Sequence, residues 1–456
     1  MAVTRAWAAG VAVLLAAVTF PAGGVYPWVW VPAAIVILAM ALGLRPRIAC
    51  HGRSQPLDVL LMLAGIAVII QCVPLPDALF RRIDPQALPL RAALLLPVTV
   101  PLPISLLPRN TLAALTIFGT AALLFWICRE ICEMGGTGRL VRSIAAIGML
   151  ASIAAIVQRG INGELLYGYW RPLDAGARPY GPFVNRNHFA TWAIMACPLI
   201  FGYLLARAPD ARKGLAIAQR FVSAVKHLET VRVWLAASVA VLTLAVLISA
   251  SRSGIIGLIG AFAITTVLSK GRQMPATRRW MVVQGLVLAA VVVSFANFTS
   301  LANRFDETLA ASSPIRGRTA IWRDAARLAA DFRWTGTGAG TFAAAIVPYQ
   351  TTEPGYTIGQ AHNHYLQLAA EGGFMITAPA ALILVGFLLL FRRRLMDDRG
   401  PDYLIRAGAG AGIVGVMIQS FWDSGLRMPA NAMLFAVLGA IAIHAPADMA
   451  APRTRG

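Results

Sequence analysis

Apolar runs of about 17–25 residues recur along this 456-residue chain, each long enough to cross a bilayer core as a helix. Lipid offers no partner to backbone polar groups, so such runs must be helices or strands of a closed barrel. They lack the two-residue alternation a barrel needs, so helices are expected. Composition agrees: only 13% of residues are charged and mean hydropathy is +0.68, whereas soluble domains carry about a quarter charged residues. The fold class predicted is an all-α integral membrane protein of about twelve transmembrane helices, forming one polytopic domain over 1–456.

The expected spans are 6–21, 27–44, 57–74, 110–128, 141–158, 187–206, 233–250, 254–269, 281–298, 373–391, 404–422 and 430–446. The apolar stretch after Arg5 resembles a signal peptide weakly; with so many spans following, an uncleaved first helix is expected. The net charge of +20 would suggest nucleic acid on a soluble chain. On a membrane chain its location decides, and no nucleic-acid partner is expected. With both termini inside, the inner segments hold all three lysines and basic clusters such as Arg45, Arg47 and Arg53, or Arg392, Arg393 and Arg394. That is the positive-inside pattern. Segment 212–229 alternates basic residues with Leu215, Phe221, Val222, Val225 and Leu228, as an interfacial amphipathic helix would. Cys50, Cys72, Cys128, Cys132 and Cys197 lie in or beside apolar runs without a C-x-x-C pair, and read as small hydrophobes.

Three outer segments are long: 75–109, 159–186 and 299–372. The last exceeds what a connector needs, and long loops concentrate function. The outer face carries about sixteen arginines and no lysine, which the positive-inside rule does not predict. Arginine grips phosphate with a planar fork; the blander roles are headgroup contacts and pairing with loop acids. Residues 314–332 read as a helix with Ser313 as N-cap and Pro314 at its first position. Ile321, Trp322, Ala325, Leu328, Ala329 and Phe332 make its apolar face. Arg316, Arg323, Asp324, Arg327 and Asp331 lie opposite, while Arg318 falls within the apolar face and needs an anionic partner there or must snorkel. Arg252 sits where two spans meet at the outer surface. His362 and His364 flank Asn363 just outside a span, two residues apart, a poor pair for a metal. Gly336-Thr337-Gly338-Ala339-Gly340-Thr341 lacks the end of a P-loop and reads as a turn with close backbone approach. Arg178 to Ala190 opens the span near 187, with Asn185 or Asn187 available as a cap.

In order, Ser251-Arg252-Ser253-Gly254, Gly317-Arg318 with Ile321-Trp322, Gly336 and Gly338, and His362-Asn363 followed by Glu371-Gly372 resemble the core of the O-antigen ligase and O-antigen polymerase family. The Gly181 to Asn187 stretch is similar to an earlier segment of that family, so the resemblance covers about 178–375. It implies a membrane-embedded glycosyltransferase that needs no metal and no cofactor. The donor would be a glycan on undecaprenyl diphosphate, and the acceptor a glycan or lipid A-core. The chain would lie among the lipids of the bacterial inner membrane, with its active loop, 299–372, in the periplasm. Arg252, Arg318 and His362 would be the required residues. Arg316, Asn363, His364, Arg178, Arg186 and Tyr349 are the expected substrate contacts. His364, after Asn363, departs from the family pattern. A transporter of polyprenyl-linked glycans is the competing class; it would favour paired repeats and charges buried in mid-span, which the sequence does not display.

Overall fold

The computed structural model describes residues 2–49, 54–99, 101–161, 164–173, 177–207, 230–269, 314–351, 358–398, 400 and 402–445. In chain order its principal helices are α1 (Ala2–Thr19), α2 (Pro27–Leu44), α3 (Gln55–Ile70), α4 (Asp77–Ile83), α5 (Ala87–Ala93), α6 (Pro108–Glu133), α7 (Thr137–Ile161) and α8 (Arg186–Ala206). There follow α9 (Thr230–Ile248), α10 (Arg252–Ser269), α11 (Pro314–Asp331), α12 (Phe342–Ala345), α13 (His364–Asp397), α14 (Asp402–Gln419) and α15 (Pro429–Ile443). A short antiparallel ladder pairs β1 (Pro74–Leu75) with β2 (Leu102–Pro103). Eleven of the twelve expected spans fall on these helices. The other, 281–298, lies outside the described residues, as do the amphipathic segment 212–229, the N-cap Ser313 and Cys50.

By length and composition, α1, α2, α6, α7, α8, α9 and α13 are long and apolar enough to cross a membrane, and α3, α10 and α15 are shorter apolar helices. The chain is a mostly helical, multi-pass membrane protein. Apolar residues such as Val13, Ile35, Leu63 and Leu382 remain exposed on these helices. On a soluble surface they would invite aggregation, whereas lipid solvates them. Cys128, Cys132 and Cys197 are free and buried, as expected of small hydrophobes.

The centre of the bundle is α8, 89% of whose apolar window is buried. Small residues explain its contacts. A Cβ on Gly408 of α14 would run into the Pro198 carbonyl of α8, and one on Gly202 of α8 into the Leu404 carbonyl of α14. Gly257 of α10 and Gly415 of α14 face each other's carbonyls in the same way. Where apolar burial gives little net drive, such close backbone approach gives helices their packing. α8, α10 and α14 are thereby held together, and a Cβ on Gly254 of α10 would meet Ala190 of α8 near the Arg186 end.

A second apolar cluster lies outside this bundle. Phe80, Ala87, Leu90, Leu102 and Leu106 from the segment before α6 pack with Ala325, Leu328, Phe332, Phe342, Ala345 and Ile346. The segment 75–109 and the described part of 299–372 thus share one core and form a single cap. The helix α11 turns its expected apolar face into it. Asp324 corrects the wheel: it is fully buried, accepting from the Thr351 backbone N–H (3.0 Å) and hydroxyl (3.0 Å). A buried carboxylate is tolerable where such donors satisfy it. At the far end of the bundle, buried ion pairs join Arg129 to Asp58 (2.7 Å) and Arg406 to Asp398 (2.8 Å).

Candidate active site

The site begins at the start of α8. Residues 178–185 fold back through the bridges Arg178–Asn185 and Tyr180–Phe183. Asn185 then caps the helix, its side chain accepting from the Asn187 N–H at 2.8 Å. This places Arg186 in the first turn, with His188 buried just behind it. The Ser251 hydroxyl donates to Asn187 Oδ1 (2.8 Å), so Arg252, first residue of α10, is tied beside Arg186. Gln419, last in α14, donates to the Asn187 carbonyl (3.2 Å), and Asn431 to the His188 carbonyl (3.0 Å). Just past α14, Asp423 is buried, and its Oδ1 has no hydrogen-bond partner among the described residues.

The cap brings the other side. Trp322 of α11 donates from Nε1 to the Ala361 carbonyl (3.0 Å), locking α11 against the loop before α13. One turn earlier on α11, half-buried Arg318 acts electrostatically on His362, as do Asp423 and His188. Burial is the largest influence on His362 and holds its imidazole below the usual histidine range; Asp423 pulls the other way, while Arg318 and His188 reinforce burial. The His362 backbone has φ 51°, a left-handed conformation uncommon for a side-chain-bearing residue. Strain of this kind clusters at functional sites.

Five arginines line the surface next to this group. Arg186 feels, in order of strength, the charges of Arg178, Arg159, Arg252 and Arg318. None of the five forms an ion pair with a described acidic residue. Arg159, Arg178 and Arg252 are exposed and Arg186 and Arg318 half-buried. Such an arc attracts and orients anions, while a histidine held neutral beside it can accept a proton.

Glu371 anchors the framework underneath. Its carboxylate accepts from the backbone N–H groups of Gly340 (2.9 Å) and Phe342 (3.2 Å) and from Gln367 (3.2 Å), and pairs with Arg427 at 2.8 Å. The glycine-rich turn is the expected close approach: Gly336 has φ 66° and a Cβ there would strike the Glu371 carbonyl. Gln71, at the outer end of α3, donates to the carbonyls of Thr335 (2.8 Å) and Glu371 (2.9 Å) and accepts from the Ala339 N–H (2.9 Å).

The structure thus gathers Arg252, Arg318, His362, Arg178 and Arg186 at one place. Asn363 is occupied as the cap of α13, accepting from the Leu366 N–H at 3.0 Å. His364 donates its backbone N–H to the Ser420 carbonyl (2.9 Å) and lies in the electrostatic field of Arg427 and Glu371. Tyr349 is turned to Asp331 (2.7 Å) in the cap, where the structure ties it to no member of the arginine–histidine group. Arg316 lies in the first turn of α11, its side chain outside the described residues. Sequence reasoning missed Asp423, His188 and Arg159. Only Asp423 left a signal, an acid at the edge of an apolar span.

Residues 237–378 match the family model described as O-antigen ligase. That stretch is similar to an O-antigen ligase domain. No curated protein matches the chain at a significant level. The O-antigen ligase match holds Arg252, Arg318, His362 and Glu371, while Arg159, Arg178, Arg186, His188 and Asp423 reach the site from outside it. The match supports a glycan-processing activity of the ligase or polymerase type.

Proposed function

We propose that the protein transfers a glycan from undecaprenyl diphosphate to an acceptor hydroxyl, in the ligase branch with lipid A-core as acceptor. The observation that carries this is the meeting of Arg318, Asp423 and His188 around His362, next to Arg252 and Arg186. The acceptor oxygen attacks the anomeric carbon while that carbon's bond to the diphosphate oxygen breaks. The electron pair leaves with undecaprenyl diphosphate, and the acceptor proton passes to His362. Arg252 and Arg318 offset the charge growing on the diphosphate, a preorganised stabilisation. The Asp423 charge favours the imidazolium that forms. A single displacement inverts the anomeric centre. Diphosphate is already a good leaving group, so this chemistry asks for no metal or cofactor. The apolar runs support about twelve spans and the charge pattern puts both termini on the cytoplasmic side; the resemblance implies that the cap lies on the periplasmic face of the inner membrane.

The test is transfer by purified protein in liposomes, with lipid-linked glycan and lipid A-core, for wild type and His362→Ala. Inactive wild type with this acceptor, but active with a second lipid-linked repeat, would assign the polymerase branch. Movement of lipid-linked glycan across the bilayer without transfer would assign a transporter.

A further inference from the structure

The arginine arc holds more positive charge than one prenyl diphosphate ester, with its two ionised oxygens, would neutralise. Five guanidinium groups share it, and like charges held together repel, the more so away from bulk water. The frame keeps them there all the same. Arg318 bears on His362, and Arg252 is tied to the same corner through Ser251 and Asn187, so these two belong with the reacting centre. Arg159 and Arg178 lie on the other flank of Arg186. Arg159 falls in the last turn of α7, and Arg178 opens the bridged turn before α8. That turn is pressed onto α7, since a Cβ on Gly181 would meet Ala155 Cβ at 2.8 Å and the Ala151 carbonyl at 3.0 Å. Tyr180 within it is fixed to the Ala245 carbonyl at 2.7 Å and feels the charge of Arg159. Both flank guanidinium groups are exposed beside this packed turn and form no ion pair with a described acidic residue.

We propose that Arg159 and Arg178, sharing Arg186 with the donor site, form a second anion subsite that seats a phosphate group of the acceptor glycolipid. Arginine forks suit phosphate. An anion held on this flank is adjacent, through Arg186, to the histidine side of the arc, where the acceptor hydroxyl must sit. The proposal rests on the transferase reading for the identity of the acceptor, but its test needs no turnover.

Protein in nanodiscs of neutral phosphatidylcholine is saturated with undecaprenyl diphosphate and then titrated with lipopolysaccharide lacking O-antigen, either intact or phosphatase-treated. The intact glycolipid should bind about tenfold tighter or more. The double variant Arg159→Gln/Arg178→Gln should lose that difference while binding undecaprenyl diphosphate as wild type does, which also serves as its folding control. In the transfer assay the same variant should raise KM for acceptor with kcat little changed. Equal binding of the intact and dephosphorylated forms by wild type overturns the proposal, as does an unaltered difference in the double variant. Displacement of the glycolipid by phosphatidylglycerol added to the disc would also overturn it, by giving the arc to bilayer headgroups. If glycan transfer fails altogether, a phosphate-dependent difference in binding still supports the subsite.

Discussion

His362 combines two features that pull against ordinary packing: a left-handed backbone and an imidazole held below its usual pKa by burial. The second has a definite consequence for a base. The neutral form accepts the proton, and a lowered pKa keeps it neutral further into the acid range. The acid limb of a kcat/KM profile should therefore have its midpoint below the ordinary value of 6.5. Asp423→Asn removes the one neighbour that raises the pKa, so it should move the midpoint lower still and slow transfer. A midpoint above 6.5 would rule out a burial-lowered His362 as the titrating base, and one that Asp423→Asn does not shift would separate Asp423 from the histidine. His362→Ala should stop transfer yet bind undecaprenyl diphosphate, because the proposed mechanism has arginines hold the diphosphate. Arg318 makes the complementary case. Losing one preorganised charge contact typically costs about 10²–10³ in rate, and Arg318→Lys should recover little of it because an ammonium lacks the planar fork. Arg327→Ala, on the exposed face of the same helix, should stay within a few-fold of wild type. Initial rates of the three variants at saturating donor check this, and full activity in Arg318→Lys would reduce its role to bare charge.

Helices α8, α10 and α14 show what was legible in the sequence and what was not. Each span is written locally, in an apolar run ended by polar residues, so hydropathy finds it. The Arg318 wheel position, the Asn185 cap and the glycine turn are local too, and were readable. Asp423, His188 and Arg159 reach His362 and Arg186 only because glycines let backbones touch across helices distant in the chain, and no local pattern says which helices those are. Tyr349 lies in the same outer segment, and packing turns it to Asp331, which no local pattern announces. The cap was read as two separate loops because each half shows only part of an apolar face. Its buried joint contains Asp84, which accepts from the Thr335 hydroxyl at 3.4 Å. Burial raises its carboxyl to about 7, against the lowering effects of Thr335 and Arg91. With the folded pKa above the unfolded one, the folded cap binds the proton more tightly, so its stability falls as pH rises from about 4 towards 7 and stays low beyond. Proteolysis of the cap should be slower at pH 5.5 than at pH 8. Asp84→Asn should flatten that dependence; an unchanged dependence would place the titrating group elsewhere.

At the scale of the whole molecule, Gln71 is one of the groups that join the bundle to the cap. Its amide binds the carbonyls of Thr335 and Glu371 and receives the Ala339 N–H, linking the end of α3 to the glycine turn and to the helix that carries Glu371. Glu371 in turn holds Arg427 and the turn's own N–H groups. The bundle supplies Arg186, Arg252 and Asp423, whereas the cap supplies Arg318 and His362, so transfer depends on the register between them. Gln71→Leu keeps a similar size and removes the hydrogen bonds of the Thr335 carbonyl and the Ala339 N–H, whereas the Glu371 carbonyl keeps the Gly338 N–H. Such groups cost about 1–3 kcal/mol each when left buried. That is enough to loosen the joint while the bundle, with its own extensive core, stays folded. The expected outcome is a protein that purifies normally and keeps its helical circular dichroism. Its kcat should fall by an order of magnitude or more, and amide exchange should rise in α11 and the glycine turn but not in α8 or α14. Slower catalysis without faster exchange at those places would show that Gln71 acts on the chemistry by another route. Faster exchange throughout the bundle would show that the two cores do not separate.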